Sequence, residues 1–210
     1  MKLIGMLDSP YVRRVAISLQ LLGLEFEHQS LSVFRAFAEF QKINPVVKAP
    51  TFVADDGTVL MDSSLILEYA EALARPRTLL PTRPDELCSA LRIIGLALAA
   101  TEKSVQLVYE RNRPREKQHE AWATRVTGQT LAAYSELESA LAGGRLPAAG
   151  STVDQAGITT AVAWQFTQQT IPDVVPHARF PQLAEFSRRA ESLREFRAAP
   201  HGDSTFRHGR

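Results

Sequence analysis

Length, composition and charge place this chain among globular proteins of one or two domains. Its 210 residues are 45% hydrophobic, which is enough apolar material for a sizeable core and argues against a disordered chain. The 24 basic and 23 acidic residues give a formal net charge of +1, so the sequence predicts a small-molecule partner rather than nucleic acid or an anionic membrane.

Alternating strand and helix patterns run through the first eighty residues of the chain. Residues 2–6 form a short apolar strand candidate, and Ser9-Pro10 then opens a helix with apolar positions at helical spacing, which Gly23 ends. Residues 25–31 predict a second strand and residues 35–43 a short helix.

A predicted hairpin and a third helix complete this segment. Asn44-Pro45 ends the preceding helix, and residues 51–54 and 58–61 predict two strands around the turn Asp55-Asp56-Gly57. Asp62-Ser63-Ser64 then caps a helix with one apolar face. The predicted element order is βαβαββα.

The composition changes at residues 75–84, which carry three prolines and predict a linker. Beyond it, helices are predicted over residues 85–111, 115–141, 154–170 and 182–190, separated by Pro and Gly breakers. We therefore expect an α/β domain over residues 1–76, a linker over 77–84, an all-helical domain over 85–200, and a flexible tail over 201–210.

Cysteine and histidine usage excludes several kinds of site. Cys88 is the only cysteine, so an internal disulfide, a CxxC redox pair and a multi-cysteine metal site are excluded. The five histidines show no helical metal-ligand spacing, and we interpret them as ordinary surface residues. The sequence therefore predicts neither a metal nor a bound cofactor.

The apolar runs are too short for targeting or membrane insertion. The run at residues 1–8 contains Asp8 and lacks the length of a signal-peptide core. The run at residues 87–100 contains Arg92 and falls short of the roughly 18 to 20 residues of a membrane-spanning helix. These patterns predict a cytoplasmic protein without a membrane partner.

Three motifs resemble those of bacterial cytosolic glutathione transferases of the serine type. Residues 9–15, Ser-Pro-Tyr-Val-Arg-Arg-Val, are similar to the catalytic turn and first helix of that family. Asn44-Pro45 to Pro50 is similar to its glutathione-backbone loop, and Asp62-Ser63 to its γ-glutamyl site. The resemblance implies a thioredoxin-like amino-terminal domain, a carboxy-terminal helical bundle, and glutathione as co-substrate.

Ser9 is the predicted catalytic residue. A cysteine thiol has a pKa near about 8.5, and a hydroxyl at a helix N-terminus favours the thiolate through a hydrogen bond and the helix dipole. The alternative is a plain N-cap, although one hydroxyl can fill both roles. Tyr11 is the alternative candidate for the hydroxyl that activates the thiol, but it lies inside the predicted helix.

The resemblance implies the remaining glutathione contacts. A cis bond before Pro50 would let Ala49 pair with the cysteinyl backbone of glutathione; the alternative is a trans proline opening a strand. Ser63 would hold the γ-glutamyl carboxylate and Asp62 the ammonium, while a helix-start acid is the alternative for Asp62. Lys48 is a candidate for the glycyl carboxylate.

Further residues carry weaker predictions. Arg35 is a second candidate for the glycyl carboxylate, and for it and Lys48 a solvated surface position is the alternative. The resemblance implies an electrophile pocket between the domains, for which the candidates are Tyr11, Phe34, Tyr109 and Arg113, with simple packing or solvation as the alternative. In the second domain, the S-x-x-D segment at residues 151–154 resembles a structural capping signature.

The resemblance implies a glutathione transferase that conjugates a small hydrophobic electrophile in detoxification, acting as a homodimer. Two alternatives stay open, because fold does not determine function. One is a glutathione-dependent isomerase, dehalogenase or peroxidase. The other is a binding or regulatory protein without turnover. Ala49 and Asp62 depart from the usual valine and glutamate or glutamine of the family.

Overall fold

A four-stranded mixed sheet organises the amino-terminal part of the chain. The computed structural model describes residues 1–144, 146, 153–204 and 206. Strand β1 (Lys2–Ile4) pairs in parallel with β2 (Glu27–Gln29), and β3 (Thr51–Val53) runs antiparallel to both β1 and β4 (Val59–Met61). The strand order is β2-β1-β3-β4.

Three helices connect and follow these strands: α1 (Pro10–Leu22), α2 (Phe37–Ile43) and α3 (Ser63–Ala74). Helix α1 ends at Gly23, whose φ of 72° suits a residue without a Cβ atom. The βαβαββα order and the thioredoxin-like fold are therefore confirmed.

The second part of the fold is helical and contains α4 (Pro84–Arg111), α5 (Glu120–Ala142), α6 (Gln155–Thr170) and α7 (Pro181–Glu191). Helix α4 packs on α5 and α6, and α7 packs on both α5 and α6. The predicted helical bundle is confirmed. Throughout the described ranges, no helix combines the length and the apolar content needed to cross a membrane.

The helix predicted over residues 115–141 is wrong at its start. Residues Arg115–Lys117 form a short 3-10 helix, and α5 begins only at Glu120. The cause is His119, whose Nδ1 accepts the backbone N–H of Trp122 at 3.1 Å and so caps the helix. The predicted cap at residues 151–154 lies partly outside the described residues, but Asp154 caps α6 by accepting the Gly157 N–H at 2.8 Å.

The described residues from Ser192 onward belong to the first unit and not to the helical one. The two compact units are Met1–Leu79 with the described residues from Ser192 onward, and Leu80–Glu191. The sequence pattern instead predicts that residues 192–200 belong to the helical domain. Helix α8 (Arg194–Ala198) packs on α1 instead, where Arg13 donates from Nε to the carbonyl of Ala199 at 2.8 Å.

His28 is buried, so its interpretation as a surface residue was wrong. It is only 6% exposed on β2, and its Nδ1 accepts the backbone N–H of Phe206 at 2.8 Å. The ring of Phe206 stacks on Phe26 with centroids 4.8 Å apart. This part of the predicted flexible tail is therefore packed, whereas residues 205 and 207–210 lie outside the described residues.

Candidate functional site

The three predicted glutathione motifs meet at one edge of the sheet. Ile4 at the end of β1 pairs with Thr51 at the start of β3, and Thr51 pairs with Met61 at the end of β4. The turn after β1, the loop before β3 and the residue after β4 therefore leave the sheet at the same edge. Segments far apart in sequence are thus brought together within the first unit.

Ser9 caps helix α1, as its sequence pattern predicts. Its Oγ accepts the backbone N–H of Val12 at 3.4 Å, and its backbone is extended with φ −71° and ψ 120°. The residue is partly exposed. Within the part of the chain that the structure describes, no acceptor takes the hydroxyl hydrogen, so the group retains a donor at the positive end of α1.

Gly5 allows the turn after β1 to approach the loop before β3. Its φ is +134°, and a Cβ atom there would lie 2.6 Å from Cγ2 of Val12 and 3.1 Å from Cβ of Ala49. Side chains other than hydrogen are therefore excluded by both conformation and space. This close approach brings Ala49 next to the first turn of α1.

The Ala49–Pro50 peptide bond is cis, as predicted. Ala49 is partly buried and packs against the cluster around Ile4 and Phe40. The carbonyl of the preceding Lys48 accepts the hydroxyl of Thr51 at 2.7 Å. Over the described ranges, the N–H and C=O of Ala49 have no hydrogen-bond partner, so both are available to an extended peptide.

Asp62 is the N-cap of α3. Its Oδ1 accepts the backbone N–H of Ser64 at 2.9 Å, and its Oδ2 lies 3.6 Å from Nζ of Lys48, with both side chains about half exposed. The Asp62 φ of 73° is uncommon for a residue with a side chain and is typical of functional sites. The structure thus pairs Asp62 with Lys48, whereas their roles toward a ligand stay predictions.

Arg14 is a contact of this site that the sequence analysis missed. It is 3% exposed, and its Nη1 donates to Oγ of Ser63 at 3.1 Å and to Oγ of Ser64 at 3.3 Å. Burial lowers the pKa of Arg14 to about 10, and the charge of Asp62 acts in the opposite direction. The available signal was the pair of basic residues Arg13-Arg14 in a helix whose neighbouring positions are mostly apolar.

The remaining candidates of the first unit lie near this edge with different exposure. Tyr11 is the second residue of α1 and is partly buried, whereas Phe34 is 72% exposed. The Oγ of Ser32 accepts the backbone N–H groups of Phe34 and Arg35. The guanidinium of Arg35 lies 3.8 Å from a carboxylate oxygen of Asp203, so it already forms an ion pair within the protein.

Tyr109 and Arg113 belong to the second unit. Tyr109 is 53% exposed near the end of α4, and Arg113 donates from Nη1 to Glu110 at 3.2 Å. A hydrogen bond from the backbone N–H of His119 lowers the pKa of Glu110, and Arg113 adds to that effect. The contribution of Tyr109 and Arg113 to an electrophile pocket stays a prediction. Among the described residues, no cluster of His, Cys, Asp and Glu could hold a metal ion.

Comparison with known proteins places this geometry in a family. The family model described as "Glutathione S-transferase, N-terminal domain" matches residues 3–78. The uncharacterised GST-like protein YibF of Escherichia coli is 31% identical over 163 residues, covering 78% of this chain and 80% of that protein.

Two further proteins are similar to the chain. The probable maleylacetoacetate isomerase of Caenorhabditis elegans is 36% identical over 89 residues, or 41% of each chain. A glutathione transferase family member from Pseudomonas fluorescens, solved with bound glutathione, superposes with a TM-score of 0.81 at 28% identity, covering 94% of this chain and 97% of that one. On these grounds the chain belongs to the glutathione S-transferase family.

Proposed function

We propose that this protein is a glutathione transferase that activates the thiol of glutathione for conjugation to a small hydrophobic electrophile. The observation that carries the proposal is the Ser9 hydroxyl, which caps α1 and still has a hydrogen to donate, at the edge where three motifs meet. A hydrogen bond to a charged group contributes about 1.5 to 3 kcal/mol, and one pKa unit corresponds to about 1.4 kcal/mol. A hydrogen bond from Ser9 would therefore lower the pKa of the glutathione thiol by about one to two pH units.

The free backbone groups of Ala49 support the binding of a peptide. An extended tripeptide can donate one N–H to the Ala49 carbonyl and accept the Ala49 N–H, as in an antiparallel pair. These two bonds would hold the cysteinyl residue beside Ser9, because Gly5 brings Ala49 next to the first turn of α1. Positioning the sulfur in this way contributes to the rate by reducing the entropy cost of the encounter.

The first turn of α3 would bind the γ-glutamyl end of glutathione. Its free N–H groups and the hydroxyl of Ser63 favour a carboxylate, while the carboxylate of Asp62 would attract the ammonium group. Lys48 lies beside Asp62 and would pair with the glycyl carboxylate only by leaving that contact. Because the Lys48–Asp62 pair is half exposed, breaking it costs little.

The test is a calorimetric titration with glutathione while ultraviolet absorbance follows the bound thiolate across pH. We expect wild type to bind glutathione with a lowered thiol pKa, and Ser9→Ala to raise that pKa by about one to two pH units. With an ordinary thiol pKa of about 8.5, this change lowers the thiolate fraction at pH 7 about 8- to 25-fold, and conjugation should slow by about the same factor. Ser9→Asp preserves an N-cap but donates no hydrogen bond, so it separates helix capping from thiol activation.

Ser139→Ala removes an exposed hydroxyl of α5 and should leave both binding and thiol pKa at wild-type values. Absence of glutathione binding in wild type overturns the proposal. Binding with an ordinary thiol pKa supports instead a binding protein without turnover.

A glutathione-dependent isomerase is the second candidate, favoured by the similarity to the Caenorhabditis elegans relative. An isomerase adds the thiol and then releases it, so glutathione is regenerated. A transferase forms a stable carbon–sulfur bond and consumes the thiol. Measuring free thiol during turnover of an electrophile panel and of cis-configured unsaturated diketo acids therefore distinguishes the two. The candidate homodimer, detoxification role and cytoplasmic location stay proposals.

A further inference from the structure

His28 is a buried histidine whose two ring nitrogens both contact backbone groups. Its Nδ1 accepts the N–H of Phe206 at 2.8 Å, and its Nε2 lies 2.8 Å from the carbonyl oxygen of Gly5. A backbone N–H can only donate and a carbonyl can only accept, so the ring is neutral and carries its hydrogen on Nε2. The two partners therefore determine both the charge and the tautomer of His28.

The Phe206 contact belongs to a stretch of chain that lies beside β2, and we call residues 201–204 and 206 the carboxy-terminal segment. Ser30, just after β2, donates from Oγ to the carbonyl of Asp203 at 2.9 Å. His28 accepts the N–H of Phe206 two residues earlier on the same strand. The attachment of the segment to the first unit therefore includes one contact that depends on the charge of a histidine.

The Gly5 contact holds the turn between β1 and α1. The N–H of Gly5 donates to the carbonyl of Gln29 at 3.0 Å and its carbonyl faces His28, so β2 holds both backbone groups of Gly5. Gly5 is also closely packed, since a Cβ atom there would lie 2.6 Å from Val12 and 3.1 Å from Ala49. A small displacement of Gly5 would therefore move Ala49 and the first turn of α1.

Protonation of His28 affects its two contacts in opposite ways. A charged ring carries hydrogen on both nitrogens, so its Nε2 still donates to the carbonyl of Gly5. Its Nδ1 then also carries a hydrogen, which opposes the N–H of Phe206 at a distance of 2.8 Å. Because two donors cannot share a hydrogen bond, the ring and the carboxy-terminal segment must separate.

The charge of His28 depends on its burial rather than on neighbouring charges. Burial lowers the pKa of His28, the Gly5 carbonyl acts in the opposite direction, and no charged group of the described residues contributes. The charged or titratable groups on the surrounding elements are partly or fully exposed: Lys2 on β1, Glu27 on β2, Asp8 in the turn, Arg35 before α2, and His201 and Asp203 on the carboxy-terminal segment. A proton on His28 therefore has no counter-ion among the described residues.

We propose that His28 is a positioning residue for the glutathione site, and that its protonation weakens glutathione binding by releasing the carboxy-terminal segment. In the neutral state, His28 holds Gly5 against Ala49 and the first turn of α1. In the charged state, the ring moves away from the N–H of Phe206, and the turn loses its fixed support. This inference rests on the proposed function, since it concerns the regulation of that same site by pH.

The experiment measures the binding of S-methylglutathione by calorimetry from pH 7 to pH 5, with circular dichroism to confirm that the protein is folded at each pH. This ligand has no thiol to titrate, and the charges of its carboxylates and ammonium group scarcely change over this range. One linked proton changes the affinity by at most about tenfold per pH unit, and we expect wild type to bind about three- to tenfold more weakly at pH 5. In His28→Gln, which cannot titrate, the affinity should change by less than about twofold.

His201→Gln is the matched control, because it removes a titratable histidine of the carboxy-terminal segment whose charge acts on Asp8 rather than on His28. This variant should keep the pH dependence of wild type. A pH dependence that persists in His28→Gln overturns the inference, since it would belong to another group such as Asp8. Loss of the pH dependence in His201→Gln alone overturns it as well.

A second measurement uses wild type alone, so it remains decisive if His28→Gln does not fold. If protonation of His28 weakens ligand binding, the ligand must favour the neutral ring by the same factor. Titration of the His28 ring by NMR should therefore give a pKa that is lower by about 0.5 to 1 pH unit with saturating S-methylglutathione. The amide of Phe206 should lose its protection from hydrogen exchange as His28 becomes charged. The same pKa of His28 with and without ligand overturns the inference.

The two proposals fail in distinguishable ways. Wild type that binds neither glutathione nor S-methylglutathione at pH 7 contradicts the proposed function itself. Wild type that binds S-methylglutathione equally at pH 7 and pH 5 keeps a glutathione site but overturns the inference about His28.

Discussion

At the scale of single residues, His28 shows how a buried polar side chain depends on its protonation state. Its Nε2 lies 2.8 Å from the carbonyl of Gly5, while its Nδ1 accepts the N–H of Phe206. A neutral imidazole with hydrogen on Nε2 satisfies both contacts, whereas a protonated ring cannot accept from Phe206. Burial lowers the pKa of His28, with the Gly5 carbonyl acting in the opposite direction.

We expect His28→Gln to reduce the loss of stability in acid. Because the folded-state pKa of His28 lies below its unfolded value of about 6.5, the contribution of His28 is fully present above pH 6.5 and is lost as the pH falls toward the folded-state pKa. The measurement is Tm from pH 7.5 to pH 5, which should fall less steeply in the variant. Parallel Tm profiles for wild type and His28→Gln would contradict this account. The control is His177→Gln, which changes an exposed histidine and should leave the Tm profile as in wild type.

At the scale of elements, α6 is a helix whose beginning depends on one side chain. Most of its residues are buried, as expected for the central helix of a bundle. Two of its buried threonines have hydrogen-bond partners: Thr159 donates to the carbonyl of Gln155, and Thr167 contacts Tyr134 and Ser104. The buried hydroxyl of Thr160 has no partner among the described residues. The N–H groups of its first turn need an acceptor, which Asp154 supplies.

Removing that cap should destabilise the second unit. We expect Asp154→Ala to lower the free energy of unfolding by about 1 to 2 kcal/mol, because an N-cap carboxylate also interacts favourably with the helix dipole. Urea unfolding followed by far-ultraviolet circular dichroism measures the change. Asp154→Asn retains a capping oxygen and should recover most of the loss; a loss in Asp154→Asn as large as in Asp154→Ala would argue that capping is not the cause.

At the scale of the whole molecule, the chain returns to its first unit after passing through the second. Phe196 on α8 is fully buried, and the backbone of Glu195 accepts a hydrogen bond from Gln20 on α1. Helix α8 therefore stabilises the unit that carries Ser9, although more than one hundred residues of the other unit intervene.

Phe196→Ala should destabilise the first unit selectively. A buried phenylalanine truncated to alanine costs about 3 to 5 kcal/mol, and the cavity would lie against α1. Hydrogen exchange followed by mass spectrometry should show faster exchange in peptides covering residues 10–22. Arg197→Ala, an exposed change on the same helix, should match wild type. Faster exchange confined to α4–α7 would contradict the assignment of α8 to the first unit.

The predictable part of the fold and site is the part encoded by neighbouring residues. The Ser9 cap, the end of α1 at Gly23 and the hairpin after Pro50 each follow from side chains that act on their own backbone within a few positions. The cis bond at Pro50 followed from the resemblance together with the order of these local signals. The predicted and observed starts of α5 differ by a few residues, because the helix is capped by a histidine, His119, which is not one of the usual N-cap residues.

By itself, the sequence determined the order of elements, the two-part architecture and the segments that would carry the site, because caps, breakers and apolar periodicity act over short distances. Only the tertiary structure decided which polar groups meet. Arg14 reaches Ser63 across 49 positions, His28 reaches Phe206 across 178, and the last helix rejoins the first unit. Such pairings depend on how the folded elements pack together. A short sequence pattern does not identify a partner that is many residues away in the chain.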